Sequence, residues 1–146
     1  MIILGIDTSS SRCSVGLAET HERKIECIGH AAIDLPHAHS EKIVTMIDDL
    51  LRRSDIDKKK INAVAVSIGP GSFTGLRIGL SVAKGLSFAL DIPVAAVPTL
   101  DIIAGKIKLE IVHVAIASRK NEFYYAGYVA GARQSDYAIV TTEELI

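Results

Sequence analysis

Apolar positions change their period several times along this 146-residue chain, and each change marks an element. Residues 2–6 are continuously apolar and predict a strand, which Asp7-Thr8-Ser9-Ser10-Ser11 turns. Cys13, Val15 and Leu17 then alternate with smaller or polar neighbours, predicting a returning strand over 13–18, and 24–32 adds a third. From about Ser40 to Arg53 the period becomes helical. Ile43, Met46, Ile47, Leu50 and Leu51 share one face, with Glu41, Lys42, Asp48, Asp49 and Arg52 on the other. His39 or Ser40 would cap this helix, and Arg52 and Arg53 suit its C-terminal dipole. Residues 61–68 are almost wholly apolar, as in a strand buried on both faces. A second helix is expected from about Thr74 to Leu90, stopped by Asp91-Ile92-Pro93. A strand over 93–97 follows, then a short helix capped by Thr99 and running to about Ala104.

The order β-β-β-α-β-α-β-α has one natural solution. Three hairpin-linked strands followed by right-handed crossovers give an α/β fold with a mixed five-stranded sheet of the ribonuclease H-like kind. After Gly105 a second pattern begins, with strands over 109–117 and 122–130 joined at 118–121. The expected division is a first lobe over 1–104 and a partial second lobe over 105–146, a hairpin and a tail. The last residues, 141–146, look like the start of a helix.

Composition narrows the function more than the fold. With 49% hydrophobic residues the chain can bury a full core, though 146 residues are too few for two ordinary domains. No apolar run reaches the roughly 20 residues of a membrane-spanning helix. The N-terminus reaches Asp7 too soon for a signal peptide, and Cys13 and Cys27 lack metal-ligand spacing, so a reduced cytoplasmic location is expected. Sixteen basic against 17 acidic side chains give no global field for nucleic acid. Lys58-Lys59-Lys60 reads either as a solvated turn or as a local nucleic-acid contact.

The segment Gly69-Pro70-Gly71-Ser72-Phe73-Thr74-Gly75-Leu76-Arg77-Ile78-Gly79 joins the apolar strand to the second helix. Free N–H groups at such a helix start can hold phosphate, but the Gly-Lys-Ser/Thr ending of a P-loop is absent. Taken as a wheel, Leu76, Ile78, Gly79, Leu80, Val82, Ala83, Leu86, Ala89 and Leu90 cover about 200° of this helix, more than one sheet face requires. The opposite strip holds Arg77, Ser81, Lys84 and Phe88. The surplus is either core or a surface shared with a partner helix. Gly71, Gly75 and Gly79, four apart, would let another backbone approach closely. Asp7 is either a cap of the first turn or a ligand of a metal-bound phosphate. His21, His30, His37, His39 and His113 offer no pair four apart for a metal-binding helix face, and His37 and His39 read as lining the first helix. No Gly-x-Ser-x-Gly nucleophile elbow occurs. Arg119, in the polar turn 118–122, could reach an anion.

Three stretches carry a family resemblance. Ile6-Asp7-Thr8-Ser9-Ser10 followed by Cys13-Ser14-Val15, His39-Ser40-Glu41 opening a helix, and the eleven-residue Gly-Pro-Gly run over 69–79 resemble the bacterial TsaB (YeaZ) family. The resemblance is close over 1–104 and weaker over 111–128. It implies an actin-like ATPase-superfamily fold and a non-catalytic role in making threonylcarbamoyladenosine in tRNA. It implies pairing with TsaD through a bundle of the first two helices of each protein, engagement of TsaE on that pair, and contact with tRNA only through the complex. No catalytic residue, cofactor or metal is expected in the chain itself. The interface expected from the resemblance and the wheel is Ile43, Met46, Ile47 and Leu50 with Arg77, Leu80, Ser81 and Lys84, and Asp7, Thr8 and Ser9 form a vestigial phosphate turn. Without its partner the chain is expected to form an isologous homodimer. Where the family tends to read Asp-Ala-Arg-x-Gly-Glu-x-Tyr, this chain has Ala117-Ser118-Arg119-Lys120-Asn121-Glu122-Phe123-Tyr124, which loses the Asp and the Gly. Two rival readings stand beside this one: a metal-dependent peptidase, and a phosphotransferase in which two chains each supply half a site.

Overall fold

A computed structural model describes residues 1–22, 24–34 and 39–145, without the side chains of His39, Ser40 and Glu41. The expected caps His39 and Ser40, together with His37 and Ile146, lie outside what is described. The chain divides into two compact units, Met1–Ile68 with Ser72–Val97, and Gly69–Gly71 with the residues from Pro98 onward.

The first unit is built on strands β1 (Ile2–Asp7), β2 (Arg12–His21), β3 (Lys24–Asp34), β4 (Ile61–Ser67) and β5 (Val94–Val97), with helices α1 (His39–Arg53) and α2 (Phe73–Leu90). The sheet order is β3-β2-β1-β4-β5, antiparallel within the meander and parallel from β1 to β5. This is the mixed five-stranded sheet that the hydrophobic pattern predicts. Register follows burial: Leu4 stands opposite Leu17 and Val64, and Ile6 opposite Val15 and Val66. All six are buried, and Ile43, Ile47, Leu50 and Leu51 of α1 and Ala83 of α2 close the same core. Alternate positions Gly5, Gly16, Ala63 and Ala65 stand on the sheet's other face. Cys13 belongs to the core, and burial first, then the charge of Asp7, pushes its thiol pKa up. Arg12 and Asp34 tie the outer strands with a bidentate ion pair, which lowers the Asp34 carboxyl through its hydrogen bonds from Arg12.

Helix α3 (Thr99–Ala104) does not close the first unit. Its Leu100 and Ala104 are buried with Val112, Val114, Ala126 and Tyr128, so the boundary expected at 104/105 falls between Val97 and Pro98. Thr99 is not the cap either. Pro98 holds that position, and Thr99 is the first helical residue, with its N–H donating to the Gly69 carbonyl at 2.8 Å. The Thr99 hydroxyl is buried without a partner among the described residues, as is that of Ser67. Burying an unpaired hydroxyl is unfavourable, so Thr99→Val is expected to raise stability by up to about 1 kcal/mol, read as a shifted urea midpoint.

The second unit carries β6 (Ile111–Ala117), β7 (Glu122–Val129), β8 (Ala132–Arg133) and β9 (Ala138–Thr141). Both β8 and β9 pair antiparallel with β7, so the expected hairpin and tail is a three-row meander. The expected terminal helix is replaced by a turn. The Glu144 carboxylate accepts the Thr141 N–H at 2.8 Å and its hydroxyl at 3.1 Å, and these bonds hold its pKa below the usual range.

Candidate functional site

The first turn and the second helix form one assembly. Asp7 Oδ1 accepts the Ser9 N–H at 3.0 Å, so this carboxylate caps its own turn. Thr8 is fully buried, and its hydroxyl donates to the Gly75 carbonyl at 2.7 Å. The Ser9 carbonyl accepts the Ser72 N–H at 2.6 Å, while Ser72 Oγ caps α2 by accepting the Gly75 N–H at 3.2 Å. The start of α2 is thus held by the chain's own turn.

The small-residue seam has the same explanation. A Cβ on Gly75 would stand 2.0 Å from the Thr8 carbonyl oxygen, and one on Gly79 would stand 2.3 Å from Thr8 Oγ1. The backbone that Gly75 and Gly79 admit is therefore that of the β1–β2 turn, not that of a partner. Gly75, Gly79 and Ala83 are the buried residues of α2, with Ile78, Leu80, Val82, Leu86 and Leu90 half-buried against the core beside them. Much of the surplus apolar surface read from the wheel is absorbed in this way.

The outer side of α2 is different. Phe73 is 73% exposed and Phe88 93% exposed. Between them Arg77, Ser81 and Lys84 are all exposed. Arg77 lies over the Phe73 ring at 5.1 Å from its centroid, a cation–π contact that keeps the guanidinium along the helix. Ser81 turns its hydroxyl back to the Arg77 carbonyl at 2.7 Å. Thr74, Arg77, Ile78, Ser81 and Val82 line a shallow groove beside this strip.

On α1 the expectation needs correction. Ile43, Ile47 and Leu50 are buried in the chain's own core, so their side chains present nothing to a partner. Periodicity finds a buried face but does not say what buries it. Met46 is half-buried, and Val44, 60% exposed, is the apolar residue of the outer face. Asp48 and Asp49 are both paired with Arg52, one turn along. Sequence reasoning misses Phe73 and Val44 as surface residues. Phe73 sits in the Gly-Pro-Gly run, whose glycines point to backbone chemistry rather than to an exposed ring.

In the second unit, Asp101 of α3 accepts the Tyr128 phenol at 2.6 Å and the Tyr137 phenol at 2.8 Å. Arg133 stacks on Tyr137 at 4.1 Å from the ring centroid. Burial first, then the bond to Asp101, pushes the Tyr128 phenol well above the ordinary tyrosine value. His113 is paired with Tyr125, and His21 with Glu19 at 3.2 Å. Among the described residues no three His, Cys, Asp or Glu side chains gather as a metal site. No helix among them is long and apolar enough to cross a membrane.

The sheet order and crossovers define a ribonuclease H-like, actin-like ATPase fold. A Thermus thermophilus RuvC structure shares that fold at a TM-score of 0.52 and 16% identity, covering 70% of this chain and 66% of its own. Residues 34–143 match the protein family described as TsaD, tRNA N6-adenosine threonylcarbamoyltransferase. The tRNA threonylcarbamoyladenosine biosynthesis protein TsaB of Haemophilus influenzae is 34% identical over 141 residues, 94% of this chain and 58% of that protein. The solved structure of YeaZ from Pseudomonas aeruginosa superposes with a TM-score of 0.83 at 33% identity, covering 96% of this chain and 67% of that one. The chain belongs to the TsaB (YeaZ) family. It spans a little under three fifths of the length of the Haemophilus relative.

Proposed function

We propose that this chain acts in tRNA threonylcarbamoyladenosine biosynthesis as a non-catalytic subunit that binds TsaD. The outer face of α2, with Val44 and Met46 of α1, is the docking surface. TsaD performs the transfer of the threonylcarbamoyl group to the tRNA adenosine, TsaE engages the assembled pair, and tRNA meets the chain only through the complex. The setting is the cytoplasm. One observation carries this reading: two phenylalanines, Phe73 and Phe88, stand exposed on a helix that the Thr8–Gly75 junction seats firmly on the sheet. Large aromatics presented on a rigid element are the anchors that protein interfaces use. The aromatic strip is the chain's contribution, and chemistry belongs to the partner.

The test is complementation. In cells depleted of their own TsaB, expression of this chain is expected to restore threonylcarbamoyladenosine in bulk tRNA, measured by mass spectrometry of the nucleosides. The variant Phe73→Ala/Phe88→Ala, expressed to the same level, is expected to fail. Restoration by the variant as complete as by the natural chain would refute the docking surface.

A further inference from the structure

We infer that the turn after α1 is a phosphate-contact patch, which the tRNA backbone meets once TsaD holds the tRNA. The inference rests on the tRNA reading above and adds where on this chain the nucleic acid is touched. Residues 53–60, Arg53-Ser54-Asp55-Ile56-Asp57-Lys58-Lys59-Lys60, carry four cations against two carboxylates. The whole chain carries 16 basic against 17 acidic side chains, so the excess is local and the remainder is net negative. Arg53, Lys58, Lys59 and Lys60 are all exposed. Among the described residues none of these four forms an ion pair, whereas Arg52 beside them is taken by Asp48 and Asp49.

The lysines are held on a built turn. Lys58–Lys60 form a single 3-10 turn capped by Asp57. Asp57 Oδ1 accepts the Lys59 N–H at 2.9 Å, and its carbonyl accepts the Lys60 N–H at 2.8 Å. The nearest carboxylate is thereby spent on the backbone instead of on the ammonium groups. The apolar neighbours turn inward: Ile56 packs against the core, and Ile61 is buried. Nothing apolar stands beside the lysines to enter a bilayer, which favours a nucleic-acid backbone over a membrane surface. Three or four phosphate contacts are too few to hold tRNA alone at physiological salt, but they strengthen a complex that already grips it. Contacts of this kind position the nucleic acid without reading its sequence, so they need neither aromatic rings nor a groove.

The test is a salt titration of tRNA binding, read by fluorescence anisotropy of a labelled, unmodified tRNA transcript added to the chain mixed with its cognate TsaD. Lys58→Gln/Lys59→Gln/Lys60→Gln is expected to weaken tRNA binding at least tenfold at about 0.1 M salt and to make the slope of log affinity against log salt shallower by about two. Its affinity for TsaD, measured by calorimetry, should not change, and circular dichroism should show the natural fold. Lys106→Gln/Lys108→Gln/Lys120→Gln removes the same charge from exposed positions of the second unit and should leave the slope as it was. Equal losses in the two variants would make the effect one of net charge and overturn the inference, as would an unchanged slope in the first. Binding of the natural chain to phosphatidylglycerol vesicles, with tRNA affinity untouched by the Lys58–Lys60 changes, would assign the patch to a membrane instead. If the chain and TsaD do not associate, the docking reading falls on its own, and the same titration of the lone chain at about 20 mM salt decides the patch. There a loss of tRNA binding confined to the Lys58–Lys60 variant supports it, and no difference from the natural chain overturns it.

Discussion

Gly75→Ala is expected to destabilise the first unit by about 3 kcal/mol, the upper end of the range for forced overpacking. The added methyl would stand 2.0 Å from the Thr8 carbonyl oxygen, and neither partner can yield, since one is helix backbone and the other a buried turn. That turn also anchors the start of α2 through Ser9 and Ser72, so the helix would have to lift from the sheet. Gly85, in the same helix, has open space where a methyl would stand, with nothing within 4 Å. Gly85→Ala is therefore expected to stabilise, by about 0.5–1 kcal/mol, through helix propensity alone. Chemical denaturation of the two variants gives opposite signs if the junction is as tight as described. Two similar small shifts would show that the turn relaxes freely.

The second large effect is expected at Asp101. Asp101→Ala leaves the phenols of Tyr128 and Tyr137 without their acceptor, and Tyr128 is 3% exposed. A buried hydroxyl that loses a charged partner costs about 2 kcal/mol, and the loss should appear as faster amide exchange in β8, β9 and α3. The same cluster sets an alkaline limit. The Tyr128 pKa is raised in the folded state, so its contribution is complete below the ordinary tyrosine value of 10.0 and fades as pH rises beyond it. In Asp101→Ala part of that alkaline sensitivity should disappear, because the bond to the carboxylate is one of the causes of the shift.

The first lobe was legible because its strands alternate and its helices repeat, and the pairings Leu4–Leu17 and Ile6–Val15 are what such patterns encode. Beyond that, pattern ran out where burial and contact had to be assigned to a particular neighbour. The spacing of Gly75 and Gly79 announced a close approach, but only the fold shows that Thr8 fills it. The helical face of Ile43, Ile47 and Leu50 was correctly periodic and wrongly assigned to a partner, because a core face and an interface face have the same period. The strip of Arg77, Ser81, Lys84 and Phe88 was visible for the opposite reason: charges beside an aromatic do not suit a core. In the second unit the outer row was missed because residues 134–137 interrupt it. There Gln134 bonds the Gly127 carbonyl at 2.9 Å and Tyr137 swings to Asp101, so no run of four or more alternating residues survives to announce β8 and β9 as one row.

The central claim is that α2 presents a docking surface for TsaD, and light scattering tests it most directly. The purified chain and its cognate TsaD, mixed at equal micromolar concentrations, should elute as a single species with the summed mass of one copy of each. Phe73→Ala/Phe88→Ala should abolish that species and leave two separate peaks. Separate peaks from the natural chain, under conditions where both proteins are folded, would contradict the account.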